Sequence, residues 1–154
     1  MAIEADLGRA RLVVDDLDPD NIAFLDHCRR GQLRLQRCEG CRLIRYPPMG
    51  GCPYCGATGS VWVSVEAVGD VYSYTTVRHT PKGEDPYVVA IVQLDVQADR
   101  PDAEIRIAAK VVPPPSAEGP PPVPTVAIGQ RMRMVFRPVN DQVTLPAWAP
   151  DEPA

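Results

Sequence analysis

Residues 37–56 have the sequence Arg37-Cys-Glu-Gly-Cys-Arg-Leu-Ile-Arg-Tyr-Pro-Pro-Met-Gly-Gly-Cys-Pro-Tyr-Cys-Gly56, and they decide the interpretation of the chain. The stretch contains two Cys-x2-Cys pairs, which are Cys38 with Cys41 and Cys52 with Cys55. A Cys-x2-Cys turn lets two sulfurs converge on one point, and two such turns that face each other build a tetrahedral site. We therefore predict that these four cysteines bind one metal ion.

Zinc is the metal that we expect at these cysteines. The alternatives are disulfides, a redox-active dithiol and an iron site. Residues 1–10 carry acids and lack the apolar core of a signal peptide, so we expect no export and no need for disulfides. A redox dithiol normally occurs as a single Cys-x2-Cys near a βαβ pattern, which the chain lacks. A closed four-thiolate site is usually structural zinc, which favours Zn²⁺. A Cys-Pro-x-Cys-Gly turn also binds iron in rubredoxin, so the ligands leave iron open.

Length and charge argue against several classes of function. The chain has 154 residues, enough for one domain or two small ones, and its net charge is −4. An acidic chain is a poor partner for nucleic acid, which requires a basic face. No apolar run approaches the length of a membrane span. With five cysteines and no export signal, the chain is expected in the reducing cytoplasm.

The sequence predicts three segments: an N-terminal segment with a helix (1–31), a metal ribbon (32–60) and a β-barrel with a C-terminal tail (61–150). We expect little regular structure in residues 1–17. Asp18 and Pro19 indicate a helix start, and Gly31 indicates its end. Cys28 lies within this helix and is expected to be a small buried apolar residue, not a fifth ligand.

Alternating polar and apolar residues predict the strands. Residues 32–37 and 43–46 lead into and out of the first cysteine turn and should pair antiparallel. Further strands are predicted at 61–65, 69–78, 87–96, 105–112, 130–137 and 142–145. The chain is therefore expected to be mainly β, with a small antiparallel barrel after the ribbon. The Pro-rich loop 113–124 is expected to be an exposed linker or, alternatively, a docking strip for a partner.

The order of these motifs resembles a known family. The residues that carry the resemblance are the four cysteines with Leu33–Arg37, Tyr46-Pro-Pro48, Cys52-Pro-x-Cys-Gly56, Gly69-x-Val-Tyr-Ser-Tyr-Thr75 and Pro86-Tyr-Val-Val-Ala90. The chain is similar to the rubredoxin-like zinc ribbons joined to an OB-fold, once catalogued as a domain of unknown function. It departs from that pattern at the Pro-rich loop, which stands where similar proteins have a short helical turn between the third and fourth barrel strands.

The resemblance implies a partner and not an independent enzyme. Such proteins accompany thiolase-like enzymes, including thiolases, acyl-transferring enzymes and steroid side-chain aldolases of the lipid-transfer-protein type, in hetero-oligomers that act on acyl-CoA. The residues agree, because no Ser/His/Asp or Cys/His set can be assembled and four thiolates leave a metal no open position. The alternatives are a free-standing binding module for acyl-CoA or another small ligand, and an electron-transfer or nucleic-acid-binding protein.

Two further groups of residues are candidates for binding. If acyl-CoA is bound, its phosphates need cations, and the candidates are Arg34, Arg37, Arg42, Arg45, Arg78 and Lys82. Each of them could equally be a solvated surface residue. Leu145 and Trp148 lie near the C-terminus and predict an apolar anchor, which is either buried in a partner or folded back onto the barrel.

Overall fold

The computed structural model describes residues 2–7, 11–79, 85–115, 117–119 and 123–152. These residues form one helix and ten strands, so the predicted mainly β class is confirmed. In chain order the elements are β1 (Ile3–Asp6), β2 (Arg11–Val14), α1 (Pro19–Arg29), β3 (Arg34–Cys38), β4 (Ile44–Arg45), β5 (Ser60–Ser64), β6 (Val68–Val77), β7 (Tyr87–Leu94), β8 (Arg106–Lys110), β9 (Arg131–Pro138) and β10 (Thr144–Pro150).

The N-terminal residues form a pair of strands, which corrects the expectation of little regular structure. β1 and β2 pair antiparallel from Ile3 opposite Val14 to Asp6 opposite Arg11. Ala5 is buried, Val14 packs against the core, and the side-chain amide of Asn140 donates to the carbonyl of Glu4 at 2.8 Å. Four-residue strands are too short to show a hydrophobic period in sequence, and tertiary contacts hold them instead.

The single helix of the described residues begins and ends where its sequence predicts. The Asp18 carboxylate accepts from the backbone N–H of Asn21 at 3.1 Å, and Pro19 occupies the first turn. Gly31, with φ at +70°, takes the left-handed conformation that ends the helix. Cys28 is fully buried, as expected, on the face that packs inward. At eleven residues the helix is too short to span a membrane, and no longer one lies within the described ranges.

The ribbon is a three-stranded antiparallel sheet with strand order β4-β3-β5. The third strand corrects the sequence prediction, which assigned residues 61–65 to the barrel. β5 instead pairs along β3, from Arg34 opposite Ser64 to Cys38 opposite Ser60. β4 has only two paired residues, so β3 needs a second partner strand. Strand β5 of the same chain is that partner.

The second sheet has five strands in the order β10-β9-β6-β7-β8. A parallel bridge between Val111 and Trp148 joins its two edges, and Val112 N donates to Trp148 O at 2.8 Å. This bridge makes the sheet a nearly closed barrel of the OB type. β10 runs to Pro150 and is longer than the strand predicted at 142–145, because closing the barrel gives these residues backbone partners.

One apolar core extends from the barrel into the ribbon. Buried residues of the barrel, such as Val92 and Trp148, belong to the same packed cluster as Leu35 and Ile44 of the ribbon. In β7 every second residue is buried, which is the alternation expected of a strand with one core face. The ribbon therefore rests on the barrel through apolar contacts.

A glutamine side chain also joins the two sheets. Gln97 accepts from the backbone N–H of Ile44 at 2.8 Å and donates to the carbonyl of the same residue at 3.0 Å. It also donates to Ala103 O at 2.6 Å. The amide thus pairs with β4 as a neighbouring strand would, at the edge that lacks one.

Candidate metal centre

The four predicted cysteines lie together at one end of the ribbon. Their sulfurs are all within 4.8 Å of one another. Cys38 Sγ lies 3.6 Å from Cys55 Sγ, and Cys41 Sγ lies 3.6 Å from Cys52 Sγ. Metal–sulfur bonds of about 2.3 Å at tetrahedral angles would separate neighbouring sulfurs by roughly 3.8 Å, so the set fits one metal ion.

The two cysteine turns have the same backbone construction. Arg42 N donates to Cys38 O at 3.1 Å in the first turn, and Gly56 N donates to Cys52 O at 2.9 Å in the second. Arg42 and Gly56 occupy the same place in their turns, and both have positive φ, at 68° and 78°. The first turn therefore accommodates a non-glycine residue in the left-handed region, and its geometry does not depend on glycine there.

Gly40 is small for a reason of space. A Cβ at this position would lie 3.2 Å from the Cβ of Ala57 and 3.4 Å from Cys55 Sγ. The residue must therefore be small so that the two turns can approach each other. Its backbone N–H also donates to Cys38 Sγ at 3.3 Å.

The surroundings of the four thiols give them different pKa values. Burial would raise the pKa of Cys52, but the backbone N–H groups of Tyr54 and Cys55 outweigh it and lower that pKa to about 6. A hydrogen bond from the backbone of Cys41 lowers the pKa of Cys38. For Cys41, the backbone of Leu43 lowers the pKa, but burial and the three other thiols raise it to about 11. Amide groups that stabilise thiolates also suit metal-bound sulfur.

Four sulfurs complete a tetrahedral shell. Cys38 and Cys52 are buried, Cys41 is half-buried and Cys55 is exposed, so the centre lies at the rim of the ribbon. A shell completed by four side chains leaves no position for a substrate or a catalytic water. The arrangement can support the fold, and it cannot act as a Lewis acid on a ligand.

Comparison with known families matches both parts of the structure. Residues 25–61 match the family described as "ChsH2, rubredoxin-like zinc ribbon domain", and residues 62–137 match "ChsH2, C-terminal OB-fold domain". The chain belongs to the ChsH2 family of zinc-ribbon and OB-fold proteins. The resemblance inferred from the cysteine pairs and the two strand motifs is thereby confirmed.

Three similar proteins show how far the likeness extends. A solved chain titled "Ltp2-ChsH2(DUF35) aldolase" has 28% identity and a TM-score of 0.71, covering 90% of this chain and all of that one. A DUF35-family protein of unknown function from Sulfolobus solfataricus has 17% identity, a TM-score of 0.56 and 86% coverage of both chains, and it shows the fold alone. A probable enoyl-CoA hydratase alpha subunit from Thermomonospora curvata is 40% identical over 82 residues, and the matched part is only 25% of its length.

The candidate arginines of this ChsH2-family chain have different surroundings. Arg34 is half-buried and donates through Nη2 to Trp62 O at 2.9 Å, Arg37 is half-buried, and Arg42 and Arg78 are exposed. Arg45 is 1% exposed, and its guanidinium donates to Gln36 and Met49. This corrects the expectation for Arg45, because a buried guanidinium cannot reach an anion in solution. Lys82 lies outside the described residues, and the anion-binding role of the others stays a prediction.

The two C-terminal candidates are also placed differently. Trp148 is fully buried, and its Nε1 donates to Ile107 O at 3.1 Å inside the barrel. The structure thus shows the folded-back alternative for this side chain. Leu145 is half-buried and lines a cleft of about 630 Å³ between β2, α1 and the barrel, and its role in partner binding stays a prediction.

Sequence reasoning missed Gln36, Gln97 and Asp20, which hold the ribbon through hydrogen bonds. A lone glutamine in a strand or a loop gives no periodic or motif signal. Gln36 stands in an alternating strand where a polar residue would be expected to face water, and only its burial shows otherwise. The roles of Gln36, Gln97 and Asp20 can be seen only from their hydrogen bonds in the structure.

Proposed function

We propose that the chain is a non-catalytic accessory subunit of a hetero-oligomer with a thiolase-like enzyme, of the lipid-transfer-protein aldolase type, that acts on acyl-CoA. The observation that carries the proposal is the likeness to the chain of the "Ltp2-ChsH2(DUF35) aldolase", which extends over 90% of this chain. The printed name of the curated relative, an enoyl-CoA hydratase subunit, supports acyl-CoA metabolism as the setting.

The metal in this proposal is Zn²⁺, held by Cys38, Cys41, Cys52 and Cys55. The family description of a zinc ribbon and the fit of the four sulfurs support it. Bound zinc supplies cross-linking between the two cysteine turns and no reaction chemistry. The four thiols stay available in a reducing compartment, so we propose a cytoplasmic location. Metal analysis tests the identity of the ion, since one iron per chain would give a coloured protein.

The surroundings of two further groups support a role without catalysis. Burial raises the pKa of the Cys28 thiol to about 12, which leaves it protonated and inert. Burial, followed by the charge of Arg34, lowers the pKa of His27, and its ring packs 5.1 Å from that of Trp62. The Cys28 thiol is therefore not available as a nucleophile, and the His27 ring is used in packing against Trp62.

The direct test is assembly with a thiolase-fold partner. The Ltp2 aldolase subunit named in the similar structure is mixed with the zinc-loaded chain, and the mixture is examined by size-exclusion chromatography with light scattering. We expect one hetero-oligomeric peak, no turnover of acyl-CoA by this chain alone, and aldolase activity that depends on the mixture. Turnover by the isolated chain, or two separate peaks at micromolar concentrations, would contradict the proposal.

The second candidate function is a free-standing module that binds acyl-CoA or another small ligand. The exposed Arg42 and Arg78 favour it, since both are available to phosphate, and Arg34 and Arg37 are half-buried. Calorimetry with CoA and acyl-CoA on charge reversals of these four residues and of Lys82 tests it. Arg45 is left unchanged, because a carboxylate at that buried position would unfold the ribbon. Equal affinity across all variants would remove the support for this function.

A further inference from the structure

A buried polar network lies beside the metal centre. Arg45 and Gln36 are 1% and 2% exposed, and they face each other across the β3–β4 pair. Arg45 Nε donates to Gln36 Oε1 at 3.1 Å, and Arg45 Nη2 donates to Met49 O at 2.8 Å. Gln36 Oε1 also accepts from Met49 N at 2.9 Å. Both backbone polar groups of Met49 are therefore held by these two side chains.

The network connects the chain segments that carry the two cysteine pairs. Gln36 lies on β3 just before Cys38, Arg45 lies on β4 after Cys41, and Met49 lies shortly before Cys52. Residues 46–51 contain two prolines and two glycines and form no strand or helix. Because regular backbone pairing does not hold this segment, the bonds to Met49 fasten it to β3 and β4 just before Cys52.

Asp20 fixes the orientation of the Gln36 amide. Gln36 Nε2 donates to Asp20 Oδ1 at 3.0 Å, in the first turn of α1. With its nitrogen committed to that carboxylate, the amide must present its oxygen to Arg45 and Met49. The helix thereby selects the rotamer of the residue that holds the loop.

We propose that Arg45 and Gln36 are positioning residues for the metal centre. They bind the loop before Cys52 to β3, so that the second cysteine pair is presented to the first before metal binds. The proposal rests on the metal site of the proposed function and adds residues to it that are not ligands. It also gives Arg45 a structural role in place of the anion binding predicted from sequence.

The test measures metal release and coordination in the full chain. The rate of zinc loss to an excess of chelator and the absorption spectrum of the Co²⁺-loaded protein are compared for wild type, Arg45→Met, Arg45→Lys and Asp20→Ala. Changes around metal ligands typically weaken metal binding by roughly 10–100-fold, and we expect zinc loss from Arg45→Met to accelerate within that range. Arg45→Lys should recover only part of the effect, because an ammonium cannot repeat the two-point guanidinium contact.

The remaining variants separate positioning from general stability. Asp20→Ala changes a half-buried helix residue, so the chain should fold, and zinc loss should accelerate severalfold with a shifted Co²⁺ spectrum. Arg137→Met, at an exposed position on β9, should match wild type. Wild-type release rates and an unchanged Co²⁺ spectrum in Arg45→Met, or in Asp20→Ala if Arg45→Met fails to fold, would overturn the proposal. A wild-type chain that binds no metal would instead contradict the metal site itself.

Discussion

The ribbon and the barrel of this chain are held together in two different ways. Barrel strands β6 and β7 have ten and eight residues, and β7 buries every second one, whereas ribbon strand β4 has only two residues. The ribbon compensates with four sulfurs at one end, a buried Arg–Gln pair, and contacts with the barrel. The comparison indicates that burial stabilises the large unit, whereas the small one relies on side-chain hydrogen bonds and on the metal ion that its four sulfurs would fit.

Removal of a metal ligand should cause the largest loss of stability among these variants. The loss should be confined to the ribbon. Cys52→Ser is expected to abolish metal binding, because structural zinc contributes about 10–16 kcal/mol to the folding of zinc-finger peptides. Metal analysis and amide exchange would show a metal-free chain with an unprotected ribbon and a protected barrel. Cys28→Ala is the control and should retain the metal. If the amide protons of the ribbon stayed protected from exchange in Cys52→Ser, the ribbon would not depend on its metal ion. The proposed difference between ribbon and barrel would then be wrong.

A cavity in the barrel core should have the next largest effect and should act on the other region. Trp148→Ala removes a fully buried ring together with its hydrogen bond to Ile107 O, and we expect a loss of about 3–5 kcal/mol in the free energy of unfolding. Urea unfolding followed by circular dichroism measures it. Leu145→Ala, at a half-buried position of the same strand, should cost less. Equal losses for the two would show that the core of the barrel is not centred on Trp148.

Loss of the Gln97 side-chain amide, which joins the ribbon to the barrel, should lower the stability by a smaller amount. Gln97→Leu leaves the N–H and C=O of Ile44 without their side-chain partner, and each unsatisfied buried group costs about 1–3 kcal/mol. Amide exchange at Ile44 should accelerate before that of the barrel. Gln93→Leu is the control, because the Gln93 side chain bonds to Glu104 and Arg106 and not to the ribbon among the described residues. Unchanged exchange at Ile44 would mean that apolar packing alone joins the sheets.

The smallest predicted effect is the pH dependence of a surface ion pair on the barrel. The hydrogen bond from Arg131 holds the pKa of Asp95 below its ordinary value of 3.8. The folded-state pKa is the lower one, so the stabilisation is present above pH 3.8 and is lost as the pH falls through the folded value. Both side chains are about half exposed, so the pair contributes less than about 1 kcal/mol.

The test of this pair compares Asp95→Asn with wild type at two pH values. The difference in urea midpoint should be present at pH 6 and smaller at pH 3, below the ordinary pKa of 3.8. Asp141→Asn, an exposed position in the turn before β10, controls for the loss of a surface charge. A difference as large at pH 3 as at pH 6 would mean that Asp95 acts through something other than its charge.

The metal ligands and the helix could be predicted because their signals are local. Two cysteines separated by two residues specify a turn, and Asp18-Pro19 specifies a helix start, whatever surrounds them. The membership of β5 could not be predicted, because an alternating strand pairs equally well with either sheet. The surroundings of Arg45 were predicted wrongly, since an arginine next to a cysteine turn has the same sequence context whether it is buried or exposed.

The sequence by itself determined the four cysteines that lie together at one end of the ribbon, the helix, most of the barrel strands and the family of the chain. These features follow from residue spacing within short windows, where the physics is that of turns, caps and alternating faces. Only the tertiary structure decided that Trp148 closes the barrel, that β5 completes the ribbon, and that Gln36, Arg45 and Gln97 hold the loops around the centre. Each of these depends on which distant segment removes a side chain from water, and burial by distant segments leaves no mark in a local pattern.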